Sequence, residues 1–141
     1  MRRILNVLIP VLLIGATASG CSDSNSSEVD LAGRTFTSQS LVIDGAETPA
    51  ADGGTIAVTF TDDGVSINAG CNTLFGNATW SGGILEVEGE ALASTMMACS
   101  EALMDQDQLL STFFISDPRW SLEGSQLTLS TDSVTLEMTE Q

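Results

Sequence analysis

The chain of 141 residues contains no histidine and no lysine, and only three cysteines and three prolines. Without histidine, neither a Ser-His-Asp nor a Cys-His arrangement can form. Without lysine there is no Schiff base and no Ser-Lys dyad. Zinc sites built from cysteine and histidine fall to the same shortage. No GxxxxGK[ST] phosphate loop and no dinucleotide-binding glycine pattern occurs. Positive charge is scarce too: four arginines face 19 acids, a formal charge of −15. A basic footprint for nucleic acid is therefore missing, and phosphate backbones would repel this surface. Attraction to anionic lipid head groups fails for the same reason. The acidic excess reads as a solvated surface that favours solubility.

The strongest positive feature is the N-terminal segment. Arg2 and Arg3 precede an apolar run, Ile4 to Gly15, interrupted only by Asn6 and Pro10. The segment closes on Ala18, Ser19, Gly20 and Cys21. A charged start, an apolar middle and a small-residue cleavage site make a secretory signal. The run is too short for a membrane span, which needs about 20 apolar residues. A thiol directly after the small residues is what bacterial lipoprotein processing requires to accept diacylglycerol, so Cys21 is the expected lipidation site. The competing reading is an ordinary signal peptide with a chance cysteine. Residues 22–30 are polar with little to bury, and behave as a flexible tether of roughly 15–20 Å. The expected organisation is a signal over 1–20, a lipidated cysteine and tether over 21–30, and one domain over 31–141. Cleavage before Cys21 removes two arginines and no acid, leaving two arginines against 19 acids, a charge of −17. The acyl chains, not charge, would hold the domain at the extracytoplasmic side of an envelope membrane.

Cys71 and Cys99 remain as an even pair in an exported, disulfide-permissive setting. A reactive thiol would need a nearby base or cation, and histidine and lysine are missing. The pair is expected to be bridged. Low aromatic content with many Gly, Ser and Thr favours short strands and turns. Residues 34–43 are rich in β-formers. Residues 55–60 and 65–68 form a hairpin pattern around Thr61 to Gly64, with Gly64 in the left-handed position of the turn. Residues 75–80 suggest another strand, and Leu85 and Val87 alternate with acids.

One helix is predicted over 101–114. Ser100 is a credible N-cap, Glu101 suits the first turn, and Pro118 blocks continuation. Ala102, Leu103, Leu109, Leu110, Phe113 and Phe114 form its expected core stripe. A β-meander follows over 120–122, 126–130 and 134–138. The expected fold is mainly β (α+β): a small antiparallel sheet of about seven or eight strands, closed as a barrel around the helix face.

These residues carry a resemblance. Gly70, Cys71 and Asn72, then Gly76, then Thr95, Met96, Met97, Ala98 and Cys99, then an acid-rich helix and a short meander resemble the META domain family, the HslJ-like heat-shock proteins. The resemblance covers about residues 31–138. It implies a barrel-like antiparallel sheet with one helix, frequent attachment as an envelope lipoprotein, and links to stress tolerance. It implies no catalytic residue. This chain departs from the pattern at Ala78, where an aromatic is usual and Trp80 is the substitute, and at Asp107, where the helix usually carries glutamate. Asn72 is read as a structural corner whose amide bonds local backbone, with Gly70 and Gly76 supplying backbone freedom around it.

Three carboxylate pairs, Asp62 with Asp63, Glu86 with Glu88, and Asp105 with Asp107, sit at turn or polar-face positions and read as solvated surface. No calcium-loop pattern is present, so no metal or other cofactor is expected. The functional expectation is a non-enzymatic envelope lipoprotein that supports envelope integrity or stress tolerance by contacting an envelope protein. Two alternatives stand beside it. One is a module holding a small apolar ligand or lipid in the barrel. The other is a tethered inhibitor of a cationic protein.

Overall fold

Alternation of apolar and polar residues, with turn-forming residues every few positions, makes this chain a succession of short strands. The computed structural model describes residues 29–141; the expected signal segment, the expected lipidation site Cys21 and most of the expected tether lie outside them. Ten strands occur among the described residues: β1 (Thr35–Ile43), β2 (Ala46–Glu47), β3 (Ala57–Phe60), β4 (Gly64–Asn68), β5 (Thr73–Thr79), β6 (Glu86–Val87), β7 (Ala93–Ser94), β8 (Arg119–Glu123), β9 (Gln126–Ser130) and β10 (Val134–Glu140). A single α-helix occurs among the described residues, α1 (Glu101–Phe114), between β7 and β8, with the bounds the sequence suggests. Among the described residues, no helix is long and apolar enough to cross a membrane.

All pairings are antiparallel, and eight strands form one path in the order β6-β5-β4-β3-β1-β10-β9-β8. The short β2 and β7 add to β1 and β5. The first and last strands are thus neighbours, and β1 carries an irregularity between Ser38 and Ser40 that re-aims it along β10. The sheet curls until its edges approach each other. They meet at one isolated bridge, Ile84 to Arg119, and at a hydrogen bond from the Leu85 N–H to the Pro118 carbonyl, 2.9 Å. Pro118 has no N–H to return, so the ladder cannot continue there. The indole N–H of Trp120 bridges the same seam to the Trp80 carbonyl, 2.8 Å. The architecture is a half-barrel with a stitched seam: the expected barrel-like antiparallel sheet of seven or eight strands with one helix, stopping short of full closure.

The concave side is filled with side chains. Phe36, Phe60, Phe114, Leu110, Leu129 and Leu136 are fully buried. Phe60 meets Phe36 and Trp80 edge-on, at 5.9 and 5.4 Å between ring centres. The helix inserts Leu110, Phe113 and Phe114 into this core. The helix departs from the expected stripe: Ala102 is exposed and Leu103 and Leu109 are only half-buried, while Gln106 and Asp107 are buried.

Gly64 is also used differently. It opens β4 without a left-handed backbone; a Cβ there would lie 2.1 Å from the Gly76 carbonyl oxygen. The residue is glycine because two strands approach closely, not because of the turn. Gly76 likewise sits within β5, where a Cβ would press on Leu92 at 3.0 Å. It supplies room, not backbone freedom.

Candidate functional site

The motif residues converge where α1, the loop before β5 and the extended strap after β7 meet. Cys71 and Cys99 form a disulfide, with Cα atoms 6.0 Å apart, that ties the strap to the start of β5. Asn72 follows, only 5% exposed. Its Oδ1 accepts from the Thr95 hydroxyl at 2.9 Å and from the Met97 N–H at 2.8 Å. Its Nδ2 donates to Asp107 Oδ2 at 2.7 Å, with a longer contact to the Met97 carbonyl at 3.4 Å. Its backbone N–H is shared between the two Asp107 oxygens at 3.1 and 3.3 Å. Thr95 Oγ1 in turn accepts from the Thr73 N–H, 3.0 Å.

Asn72 is therefore a corner, but its side chain reaches residues 23 to 35 positions away as well as the adjacent cysteine sulfur. Its amide is saturated: two bonds accepted and two donated use its full capacity. The expectation of a purely local turn is corrected, and so is that of Asp107 as solvated surface. Asp107 is 7% exposed and packed against the motif, whereas Asp62, Asp63, Glu86, Glu88 and Asp105 are exposed as expected. A buried carboxylate without a cation is costly, and the Asn72 donors offset that cost here. Among the described residues no buried side-chain nitrogen or oxygen lacks a partner.

Gln106 is a residue the sequence reading missed. Its Nε2 donates to the Ala69 carbonyl at 2.6 Å, and its Oε1 accepts from the Ala51 N–H at 2.7 Å. Gly70 stands over it with φ of +110°, and a Cβ there would lie 2.9 Å from Gln106 Nε2. Both a positive φ and close approach thus require glycine. Ser100 caps the helix as expected, accepting from the Leu103 N–H at 3.4 Å, while its hydroxyl donates to Asp52 at 2.7 Å. Gln106 and Asp107 interrupt the apolar stripe of α1 at consecutive positions; two polar side chains on the inward arc are the signal that was available.

The methionines of the motif behave oppositely to its polar residues. Met97 gives its backbone to Asn72, but its side chain is 61% exposed, and Met96 is 95% exposed. Met104 of α1 stands nearby, its sulfur 3.9 Å from Cys71 Sγ. An open groove of about 550 Å³ runs between the strap and α1, lined by these methionines, Ile115, Asn72 and Asp107. Among the described residues no three His, Cys, Asp or Glu side chains converge as a metal ion would need.

A curled antiparallel half-barrel, plugged by one helix and locked by an Asn-Asp tie beside a disulfide, defines a small α+β module rather than an open sheet. The chain belongs to the META domain family, whose model matches residues 29–141. A protein solved by NMR shares 25% identity, with a TM-score of 0.61 over 77% of this chain and 90% of that one. Another NMR structure, of a protein from Burkholderia xenovorans, shares 22% identity, with a TM-score of 0.62 over 79% of this chain and 83% of that one. These likenesses support the fold. Among curated proteins none is significantly similar to the chain.

Proposed function

We propose that this META domain protein is a lipid-anchored, non-enzymatic module of the cell envelope that acts by contacting other envelope proteins. The observation that carries the reading is the Cys71–Cys99 disulfide, which belongs to an oxidising compartment outside the cytoplasm. It agrees with Cys21 directly behind a secretory signal, and with the polar tether that would hold the domain just off a membrane. Contact rather than catalysis fits a site whose Asn72 amide is fully engaged in holding three segments together. A ligand inside the sheet is the weaker alternative, because aromatic and aliphatic side chains occupy that space. Stress tolerance would follow if those contacts stabilise the envelope.

Labelling with palmitate, followed by membrane fractionation, tests the anchor. The protein is expected in the membrane pellet with label attached, and Cys21→Ala is expected to remove both. Label that survives Cys21→Ala overturns the assignment. Loss of the gene is expected to lower survival in surfactant, with rescue by the wild-type chain but not by Cys21→Ala.

A further inference from the structure

Seven large apolar side chains are exposed among the described residues, and four of them, Met96, Met97, Met104 and Ile115, line the one groove between the strap and α1. Isolated exposed apolar residues are ordinary, but a cluster on one concavity marks an interaction surface. Methionine suits that use, since its unbranched thioether adapts to partners of different shape. The groove extends along α1 from Met104 to the C-cap Ile115. At 1.5 Å per helical residue that is roughly 16 Å, about the length of five residues of extended chain.

Charge selects the occupant. The groove lining includes the Asp107 carboxylate and no basic residue. One Asp107 oxygen, Oδ1, has only the long, shared 3.3 Å bond from the Asn72 N–H, which leaves it acceptor capacity. Of the two arginines in the described residues, Arg34 is paired with Glu140 and Arg119 lies on β8, outside the lining. From Cys21 onward the chain carries 19 acids and two arginines, so a second copy or an acidic partner is repelled. A cationic partner is drawn in and oriented.

We infer that the methionine-walled groove is a docking site for a cationic, apolar-faced segment of a partner protein. Its apolar side chains lie on Met96, Met97 and Met104, and its lysine or arginine reaches Asp107. The inference rests on the reading that the domain works by protein contact.

The test uses the protein matured in the producing cell, set in nanodiscs of zwitterionic lipid and labelled with ¹³C at the methionine methyls. A short peptide of alternating leucine and lysine is titrated in. The Met96, Met97 and Met104 signals are expected to move, while Met138, 1% exposed in the core, stays still as the internal reference. A leucine-glutamate peptide is expected to move none, and a serine-lysine peptide to bind at least about tenfold more weakly, as loss of apolar burial requires. Asp107→Asn should weaken binding about tenfold, the scale of one hydrogen bond to a charged group. Because that change also touches the Asn72 tie, Met97→Arg serves as the second variant: its side chain stands in solvent, and it should abolish binding without unfolding the domain. Leucine-lysine binding that leaves the three methyl signals unmoved, or survives Met97→Arg, is bulk charge attraction and overturns the inference. So does equal binding of the leucine-glutamate peptide. Palmitate labelling is independent of these outcomes, so an anchored protein with unmoved signals keeps its location and loses its groove.

Discussion

Asn72 illustrates how much one side chain carries in a domain this small. Its amide joins the loop before β5 to the strap and to α1, and it is almost fully buried. Asn72→Ala leaves the Met97 N–H and the Asp107 carboxylate short of their partners. Each stranded buried group costs about 1–3 kcal/mol. A loss of roughly 2–6 kcal/mol in urea unfolding is expected. Asn72→Asp should cost at least as much at neutral pH, because two carboxylates would then face each other with the amide donor gone. A deficit smaller than that of Asn72→Ala in the same urea unfolding would mean that repulsion is not the cause. The Gly-Cys-Asn grouping was visible in the sequence, but its partners were not. Thr95 and Met97 lie 23 and 25 positions away, and nothing in their spacing says which atom of Asn72 each would meet.

Among the elements, α1 and the strap are mutually dependent. The helix has an N-cap and a terminating proline, so its bounds were legible locally. Its buried arc is less legible: apolar periodicity assigns the exposed Ala102 to the core and the buried Asp107 to the surface, because it cannot tell a polar residue facing solvent from one facing a buried amide. The strap after β7 has little regular structure of its own; the disulfide, Asn72 and the Thr73–Thr95 contacts hold it. Reducing the disulfide should therefore cost more at the strap than elsewhere. With 28 residues of separation, the chain-entropy relation gives about 3–4 kcal/mol. Urea unfolding with and without dithiothreitol measures it, and amide hydrogen exchange should show Met97 losing protection before the β9–β10 ladder does.

At the scale of the whole molecule, the two ends of the domain are clasped together. β1 pairs with β10, and Arg34 donates through Nε and Nη2 to the two Glu140 oxygens at 2.7 and 2.6 Å. This hydrogen-bonded pairing holds the Glu140 carboxyl below the ordinary glutamate value and raises Arg34; partial desolvation opposes both shifts. Folded Glu140 thus binds fewer protons than the unfolded chain in the acidic range. Its contribution to stability is present above the ordinary glutamate pKa and is lost as pH falls through the lowered one. Arg34 is protonated in both states throughout that window. Glu140→Gln should lower stability at neutral pH while leaving the acid end nearly unchanged, and so flatten the acid limb of the stability curve. An acid limb as steep as that of the wild type would show that other carboxylates govern it.

What the sequence determined by itself is what short range controls: strands where polar and apolar residues alternate, turns between them, a capped helix of the right length, and a cysteine pair with no other chemistry open to it. The META motif was readable for the same reason, since its residues lie in two short runs. The tertiary structure alone decided three things. It stopped the sheet at a half-barrel, whose edges meet only at the Ile84–Arg119 bridge and the Leu85–Pro118 hydrogen bond. It turned Asp107 inward onto Asn72, and it left three methionines beside that tie in the open. Each depends on where the curl of the sheet places segments far apart along the chain. Periodicity within one element carries no record of what will pack against it.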